Sequence, residues 1–168
     1  MEGAKFGDIR KKISKFQKEH KFTILNDYPN EKILEFLAEW AAEKRKKDVA
    51  ELTKSLFEQE LKESIENLEL VKNCEHKKIF IEENGALIGF TVFVHLFDDL
   101  WAGLIQKTKQ RIRGLPQYLY HLKAKEISEN KILTTGAEAQ DPDLKAFKES
   151  LRPIEVKTIY ILKIGDKL

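Results

Sequence analysis

Between Ile105 and Lys125 the chain carries six cations, Lys107, Lys109, Arg111, Arg113, Lys123 and Lys125, and no acid. The stretch QKTKQRIRGLP lies between an apolar run ending at Ile105 and a helical pattern beginning near Pro116. A helix start offers backbone N–H groups without intrahelical partners and the positive end of the helix dipole, so phosphate is the natural ligand of such a junction. Gly114 lets the backbone approach such a group closely. The candidate contacts are Gln110, Arg111, Ile112, Arg113, Gly114, Leu115 and Gln117. Lys107, two residues past the strand end, suits a phosphate or a carboxylate. The plain alternatives are a solvated basic loop and an edge-strand lysine that blocks aggregation.

Other chemistry-bearing residues are sparse. His20, His76, His95 and His121 show no ligand spacing, so no metal is expected. His95 sits in an apolar run and reads as a hydrogen-bonded core residue. Cys74 is the only cysteine, which excludes an intramolecular disulfide and a cysteine-built zinc site. It has no recognisable His partner in the sequence and reads as inert.

The elements that would position these residues follow from periodicity. Phe6, Ile9, Ile13 and Phe16 form one helical stripe opposite a basic face of Arg10, Lys11, Lys12, Lys15 and Lys18. Phe22 to Leu25 reads as a strand, closed by the turn NDYPN. A second helix carries Ile33, Leu34, Leu37, Trp40 and Ala41 inward. A third, opened by a capping-box spacing at Asp48-Val49-Ala50-Glu51, carries Leu52, Leu56, Leu61, Ile65 and Leu68. Ile79–Glu82, the turn Glu83-Asn84-Gly85 and Leu87–Leu96 read as a hairpin, continued by Leu100–Ile105 into a meander. A helix from Pro116 to about Glu129, with Leu119 and Leu122 inside, a short strand at Lys131–Thr134, and a helix opened by Asp141-Pro142 follow. An alternating run, Ile154–Ile164, suits a last strand. The order α-β-α-α-β-β-β-α-β-α-β is a mixed α+β domain with a βαβ-like second part.

The chain has 168 residues, 42% hydrophobic and 35% charged, with 8 Gly and 4 Pro. Disordered, collagenous and low-complexity classes are excluded, and this length fits one domain, residues 1–168, with a proper core. Thirty Lys and Arg against 28 Asp and Glu leave +2, so bulk charge commits the chain to no polyanion. The start, MEGAKFGDIRKK, lacks the apolar stretch of a secretory leader, and the longest run low in charge, Ala86–Phe97, is too short to span a membrane. The expectation is a cytoplasmic protein with no membrane insertion; the reading leaves a homodimer open.

Arg111-Ile112-Arg113-Gly114-Leu115-Pro116, set after a meander and before a helix, resembles the Arg/Gln-x-x-Gly-x-Gly/Ala turn of the GNAT superfamily of acyl-CoA N-acyltransferases. It matches at Arg111 and Gly114 and departs at Pro116, which has no amide to donate. A narrower resemblance covers nearly the whole chain: the sequence is similar to the C-terminal GNAT-like domain of bacterial phosphatidylglycerol lysyltransferases and their stand-alone relatives. IRKKISKF (9–16), FLAEW (36–40), NGALIGFTVF (84–93), QKT (106–108), Gly114 and FKESLRP (147–153) carry it in order. Lys148, Ser150 and Pro153 match that last motif, with Leu151 where the family has Tyr. The family's acidic run before its final helix is replaced by TTGAEAQ (134–140), and its partner domain and membrane part have no counterpart here.

The resemblance implies a GNAT-like sheet with helices on both faces. It further implies coenzyme A or acyl-CoA (or aminoacyl-tRNA) as donor, no metal, and transfer to an amine or hydroxyl acceptor. Tyrosines on the helix after the pyrophosphate turn often protonate the leaving thiolate in that superfamily, so Tyr120 and then Tyr118 are the catalytic candidates. They lie on different faces, so at most one can point at the donor. Glu58, Glu60, Glu82 and Glu83 are candidate bases, and Lys148 is a candidate substrate contact. Two other classes compete: a catalytically degenerate interaction domain, and a nucleic-acid (tRNA)-binding module using the basic patch and first helix. The second has too few aromatics near its cations for a stacking platform.

Overall fold

A computed structural model describes residues 6–45, 51–127, 131–135 and 142–156, with backbone alone for 51–56, 142 and 143. Residues 1–136 and 137–168 form two compact units. In the first unit, α1 (Gly7–Glu19) buries Ile9, Ile13 and Phe16, the stripe that its spacing predicts. After β1 (Thr23–Leu25) come α2 (Asn30–Arg45) and α3 (Glu51–Leu70). The meander is β2 (His76–Glu83), β3 (Ala86–Phe97) and β4 (Leu100–Thr108). Then follow α4 (Leu115–Glu126) and β5 (Ile132–Thr134). The second unit contains α5 (Pro142–Ser150).

The sheet order is β1-β2-β3-β4-β5, antiparallel except for the parallel pair β4–β5. Asn84 and Gly85 both have positive φ (53° and 76°), the type I′ geometry whose twist suits a two-residue hairpin. β1 covers only Phe80, Ile81 and Glu82 of β2. β3 is central and nearly continuously buried, which requires helices on both faces. On one face Phe80, Phe90, Val92, Val94 and Ile105 pack with Ile33, Phe36, Leu37, Trp40 and Ala41 of α2, and with Leu61 and Leu68 of α3. On the other lie α4 and α1, joined through Phe16, whose ring meets Tyr118 at 5.4 Å.

Several expectations are corrected. Leu34 and Ile65 face solvent, because α2 uses Phe36 on its inner side and α3 turns Ser64 inward. α4 ends at Glu126 rather than near Glu129, its last turn closed by the Ile127 amide on the Lys123 carbonyl. Leu122 is only half-buried, whereas Lys123 is fully buried. β4 runs three residues beyond Ile105, to Thr108. The capping-box residues Asp48, Val49 and Ala50 and most of the expected last strand lie outside the described residues; Ile154–Val156 is exposed and is not a strand.

Gly114 joins the two halves of the second face. Its φ is +88°, and a Cβ there would collide with the Lys12 carbonyl of α1 and lie 3.0 Å from the Phe16 Cβ. The missing side chain therefore permits the close approach of α1 to the start of α4. Gly114→Ala should destabilise the fold by about 1–2 kcal/mol through its left-handed backbone alone, and by more through the displaced helix. Urea denaturation monitored by circular dichroism measures this.

Candidate active site

β4 is bordered by β3 along its whole length but by β5 only at Leu100, Trp101 and Ala102. From Gly103 to Thr108 its other edge has no partner strand among the described residues. Within this segment the register with β3 slips: Val92 faces Ile105 and Phe93 faces Gly103, so Leu104 is bulged out. A bulge bends and twists a strand locally. Together these features make a fork with its apex at Ala102–Gly103, opening toward the turn that starts α4. Its open edge is a row of main-chain donors and acceptors.

At the mouth of the fork lies the basic turn. Arg111 adopts φ +68°, a left-handed conformation uncommon for a non-glycine residue, and Arg111 and Arg113 are both exposed. Gly114 caps α4 without any side-chain hydrogen bond, and Pro116 removes one of the free amides of the first turn. Three glutamine side-chain atoms in the same region, Gln106 Oε1, Gln110 Nε2 and Gln117 Oε1, are buried without a hydrogen-bond partner. Buried polar atoms normally have one. The free N-terminal amides, the orphaned Gln110 donor and two exposed guanidinium groups fit a phosphate-bearing group, and Gln110 offers a donor where Pro116 withdraws one.

The two tyrosines of α4 diverge, as their spacing requires. Tyr118 packs against Phe16 and Phe22 and stacks on His121. Burial holds His121 below the ordinary histidine range, with Lys125 acting in the same direction. Tyr120 faces the apex: the Lys123 Nζ lies 3.8 Å from its ring centroid. Burial pushes the Tyr120 hydroxyl up to about 12, against the opposing effect of a hydrogen bond with Thr135. Lys123 itself is buried, 1% exposed.

The cationic patch read from the sequence therefore divides. Lys123 is inside on the α4 face. Lys107 is inside on the opposite face, 6% exposed, with its Nζ on a Glu60 carboxylate oxygen of α3 and 4.2 Å from the Trp40 ring centroid. Burial lowers its proton affinity below the ordinary lysine range, while the Glu60 carboxylate pulls the other way and Lys44 adds to the lowering. Only Lys109, Arg111, Arg113 and Lys125 are left with access to solvent. Beside the Lys107 pair, Phe36, Glu39, Trp40, Glu43 and Lys109 line a shallow open depression.

Of the candidate bases, Glu60 of α3 is thus paired with Lys107 of β4. Glu58 lies 3.8 Å from Arg45, Glu82 accepts the Tyr28 hydroxyl at 2.9 Å, and Glu83 meets His20 Nδ1 at 3.0 Å. His95 is bonded through both ring nitrogens, to Glu75 and to the Asp98 carbonyl. Lys148 is on α5, in the second unit. Among the described residues no group of three His, Cys, Asp or Glu stands close enough to hold a metal ion, and no helix is long and apolar enough to cross a membrane. Sequence reasoning missed the burial of Lys123, although the four-residue row Leu115, Leu119, Lys123, Ile127 marks it.

No family model and no curated protein matches the sequence. Solved structures match the fold. A conserved protein of unknown function from Bacteroides thetaiotaomicron VPI-5482 superposes with TM-score 0.75 at 18% identity, over 92% of this chain and 52% of its own. This chain thus spans about half of that protein. A possible acetyltransferase from Clostridium difficile 630 superposes with TM-score 0.55 at 15% identity, over 86% and 99% of the two chains. A ribosomal-protein-alanine N-acetyltransferase from Brucella melitensis biovar Abortus 2308 gives TM-score 0.55 at 16% identity, over 86% and 100%. The chain has the α+β fold of GNAT-type acetyltransferases.

The Lys107–Glu60 pair has a measurable signature. A lysine whose folded-state value is lowered binds fewer protons in the folded chain than in the unfolded one. Stability should therefore rise with pH through the window between the lowered value and the ordinary one near 10.4. Chemical denaturation from pH 7 to 10 should show this slope in the wild type and a smaller one in Lys107→Met. Glu60→Gln alone should cost roughly 1–3 kcal/mol by stranding the ammonium, and adding Lys107→Met should recover much of the loss.

Proposed function

We propose that the chain is an acyltransferase that takes an acyl group from coenzyme A and passes it to an amine or hydroxyl. In this proposal residues 1–168 act as one domain, in the cytoplasm. The observation that carries the reading is the fork of β4 and β5, which opens toward the basic turn at the start of α4. Arg111, Arg113, Gln110 and the free amides of Leu115 and Gln117 would hold the pyrophosphate, and the uncovered edge of β4 would pair with the pantetheine amides. A thioester supplies an activated acyl carbon when bound. The main-chain N–H groups around the Leu104 bulge are the candidate oxyanion donors, since fixed dipoles cost no reorganisation during reaction. Tyr120 is the proposed acid. Its raised proton affinity keeps it protonated at neutral pH, and it lies six residues, about 9 Å of helix, beyond Gly114. Tyr118, packed among aromatic rings, is the lesser candidate, and Lys148 remains a proposed substrate contact; Lys107, expected from the sequence as a donor contact, is buried on the opposite face against Glu60 and is left out of the proposed pyrophosphate site.

The finer likeness to the C-terminal domain of phosphatidylglycerol lysyltransferases belongs to the same proposal and makes aminoacyl-tRNA the competing donor. It is supported by the motif order, and by the FLAEW segment supplying Phe36, Leu37 and Trp40 to the core. Pro116 favours a second reading, a degenerate domain that binds such a ligand without turnover.

A thermal-shift series with coenzyme A, acetyl-CoA and tRNA tests donor class. A ligand at 100 times its dissociation constant adds about 2.7 kcal/mol to stability. Arg111→Glu with Arg113→Glu should abolish the coenzyme A shift and leave the melting curve of the free protein cooperative, and added salt should weaken binding in the wild type. Tyr120→Phe should lower turnover 10²–10⁴-fold, the usual effect of losing a general acid, with unchanged donor affinity. Binding without turnover by the wild type selects the degenerate reading.

A further inference from the structure

We propose that Gln106 and Gln117 select the donor, their side-chain oxygens reading the arm that adjoins its pyrophosphate. The inference rests on the coenzyme A reading above and names the part of that ligand these two residues recognise. Lys107 leaves β4 toward the α2–α3 face, so its neighbour Gln106 leaves toward α4. There the Gln106 Nε2 donates to the Pro116 carbonyl, in the first turn of α4, at 3.4 Å. Gln117 follows Pro116 directly and is 8% exposed. The same face of β4 meets α4 through Thr108 and Leu115, whose side chains lie 3.1 and 3.2 Å from where a Gly89 Cβ would stand. Both glutamines therefore belong to the seam between the open segment of β4 and the helix start.

The Oε1 atoms of Gln106 and Gln117 are buried and have no hydrogen-bond partner among the described residues. The orientation of the Gln106 amide follows from its contact: turned over, it would set Oε1 against the Pro116 carbonyl oxygen, acceptor against acceptor. A pyrophosphate cannot satisfy these two oxygens, because at neutral pH it is itself an acceptor. They require hydroxyl or amide donors on the ligand beside its phosphates. Gln110 Nε2, the third orphaned atom here that could face the ligand as a donor, suits the phosphates themselves. The three side chains thus sort by polarity, a donor on the basic turn and two acceptors on the seam.

The pantetheine arm of coenzyme A carries what such acceptors need, a hydroxyl and two amide N–H groups on the chain that leaves the pyrophosphate. The nucleotide half of the same molecule offers the phosphates without that arm. A site built to hydrogen-bond a ligand's O–H or N–H rejects an analogue that lacks it, because its own buried polar groups are then left unpaired. The free chain bears a related cost. A buried oxygen without a partner destabilises the fold, so an apolar group of similar shape in its place is neutral or stabilising while the ligand is absent. Stability and donor affinity should therefore respond to the same substitution with opposite signs, as at sites where function is kept at the expense of stability.

The test is calorimetric titration of the whole chain with coenzyme A and with 3′-phospho-ADP, which is coenzyme A without its pantetheine arm. The wild type should bind coenzyme A about tenfold more tightly or better. Gln106→Met and Gln117→Met should each weaken coenzyme A by about tenfold and leave 3′-phospho-ADP unchanged. Free Gln117→Met should melt no lower than the wild type. Equal affinity of the wild type for the two compounds overturns the inference and leaves the donor reading standing. So does unchanged coenzyme A affinity in either variant, or an equal loss for 3′-phospho-ADP, which would place the glutamines at the phosphates. A lower melting temperature for Gln117→Met with undiminished coenzyme A binding assigns its oxygen to the fold and also overturns the inference. Failure of coenzyme A to bind the wild type overturns both. If a methionine variant does not fold, Gln→Asn at that position, which keeps the amide but retracts its oxygen by one methylene, is judged by the same affinities.

Discussion

A β-strand satisfies its backbone by having neighbours on two sides, and among the described residues β4 has the second neighbour for only three residues. The candidate site among the described residues is arranged around that shortage. The bulge at Leu104 bends the strand where its partner departs. α4 returns antiparallel to β4 and delivers its first turn to the open end of the gap and its third to the closed end. A parallel β4–β5 pair requires a crossover, so the same topology that creates the gap also lays a helix along it. The unpaired edge and the helix start are two products of one connection.

Two ammonium groups are buried on opposite faces of this strand, and they are handled differently. Lys107 is balanced by a half-exposed carboxylate and an aromatic face. Lys123 lies against a phenol ring and the main chain of two diverging strands. β4 thus separates an ion-paired ammonium on the α2–α3 side from an ammonium packed on an aromatic ring on the α4 side. The apolar side chains around them, from Trp40 to Leu119, keep water away and so lengthen the reach of each charge.

The elements were legible because their signals are local. Ile9, Ile13 and Phe16 show a helical stripe, and Asn84-Gly85 between apolar runs can do little but turn. The basic turn before α4 was legible for the same reason. The division of its cations was not: periodicity scores lysine as polar, so Lys107 and Lys123 read as surface residues until Glu60, Trp40 and Tyr120 are brought to them from elsewhere in the chain. The role of Gly114 in seating α1 was hidden likewise, because the carbonyl it accommodates belongs to Lys12, about a hundred residues earlier. The faces of α3 differ from its hydrophobic pattern by one position, since Ile65 outranks Ser64 on hydrophobicity alone while the helix also has to present Glu60 to the sheet.

The short β1 at the far side of the sheet has a consequence for self-association. It covers β2 only from Phe80 to Glu82, so among the described residues His76 to Ile79 form a second stretch of strand edge. That stretch carries Lys77 and Lys78, and an extended chain adding to it would bring its own backbone beside their charges. The open edge of β4 has no comparable guard between Gly103 and Gln106. Of the two edges, the one lacking any proposed ligand is thus protected against strand-by-strand aggregation, and crowding or partial unfolding should expose the other first.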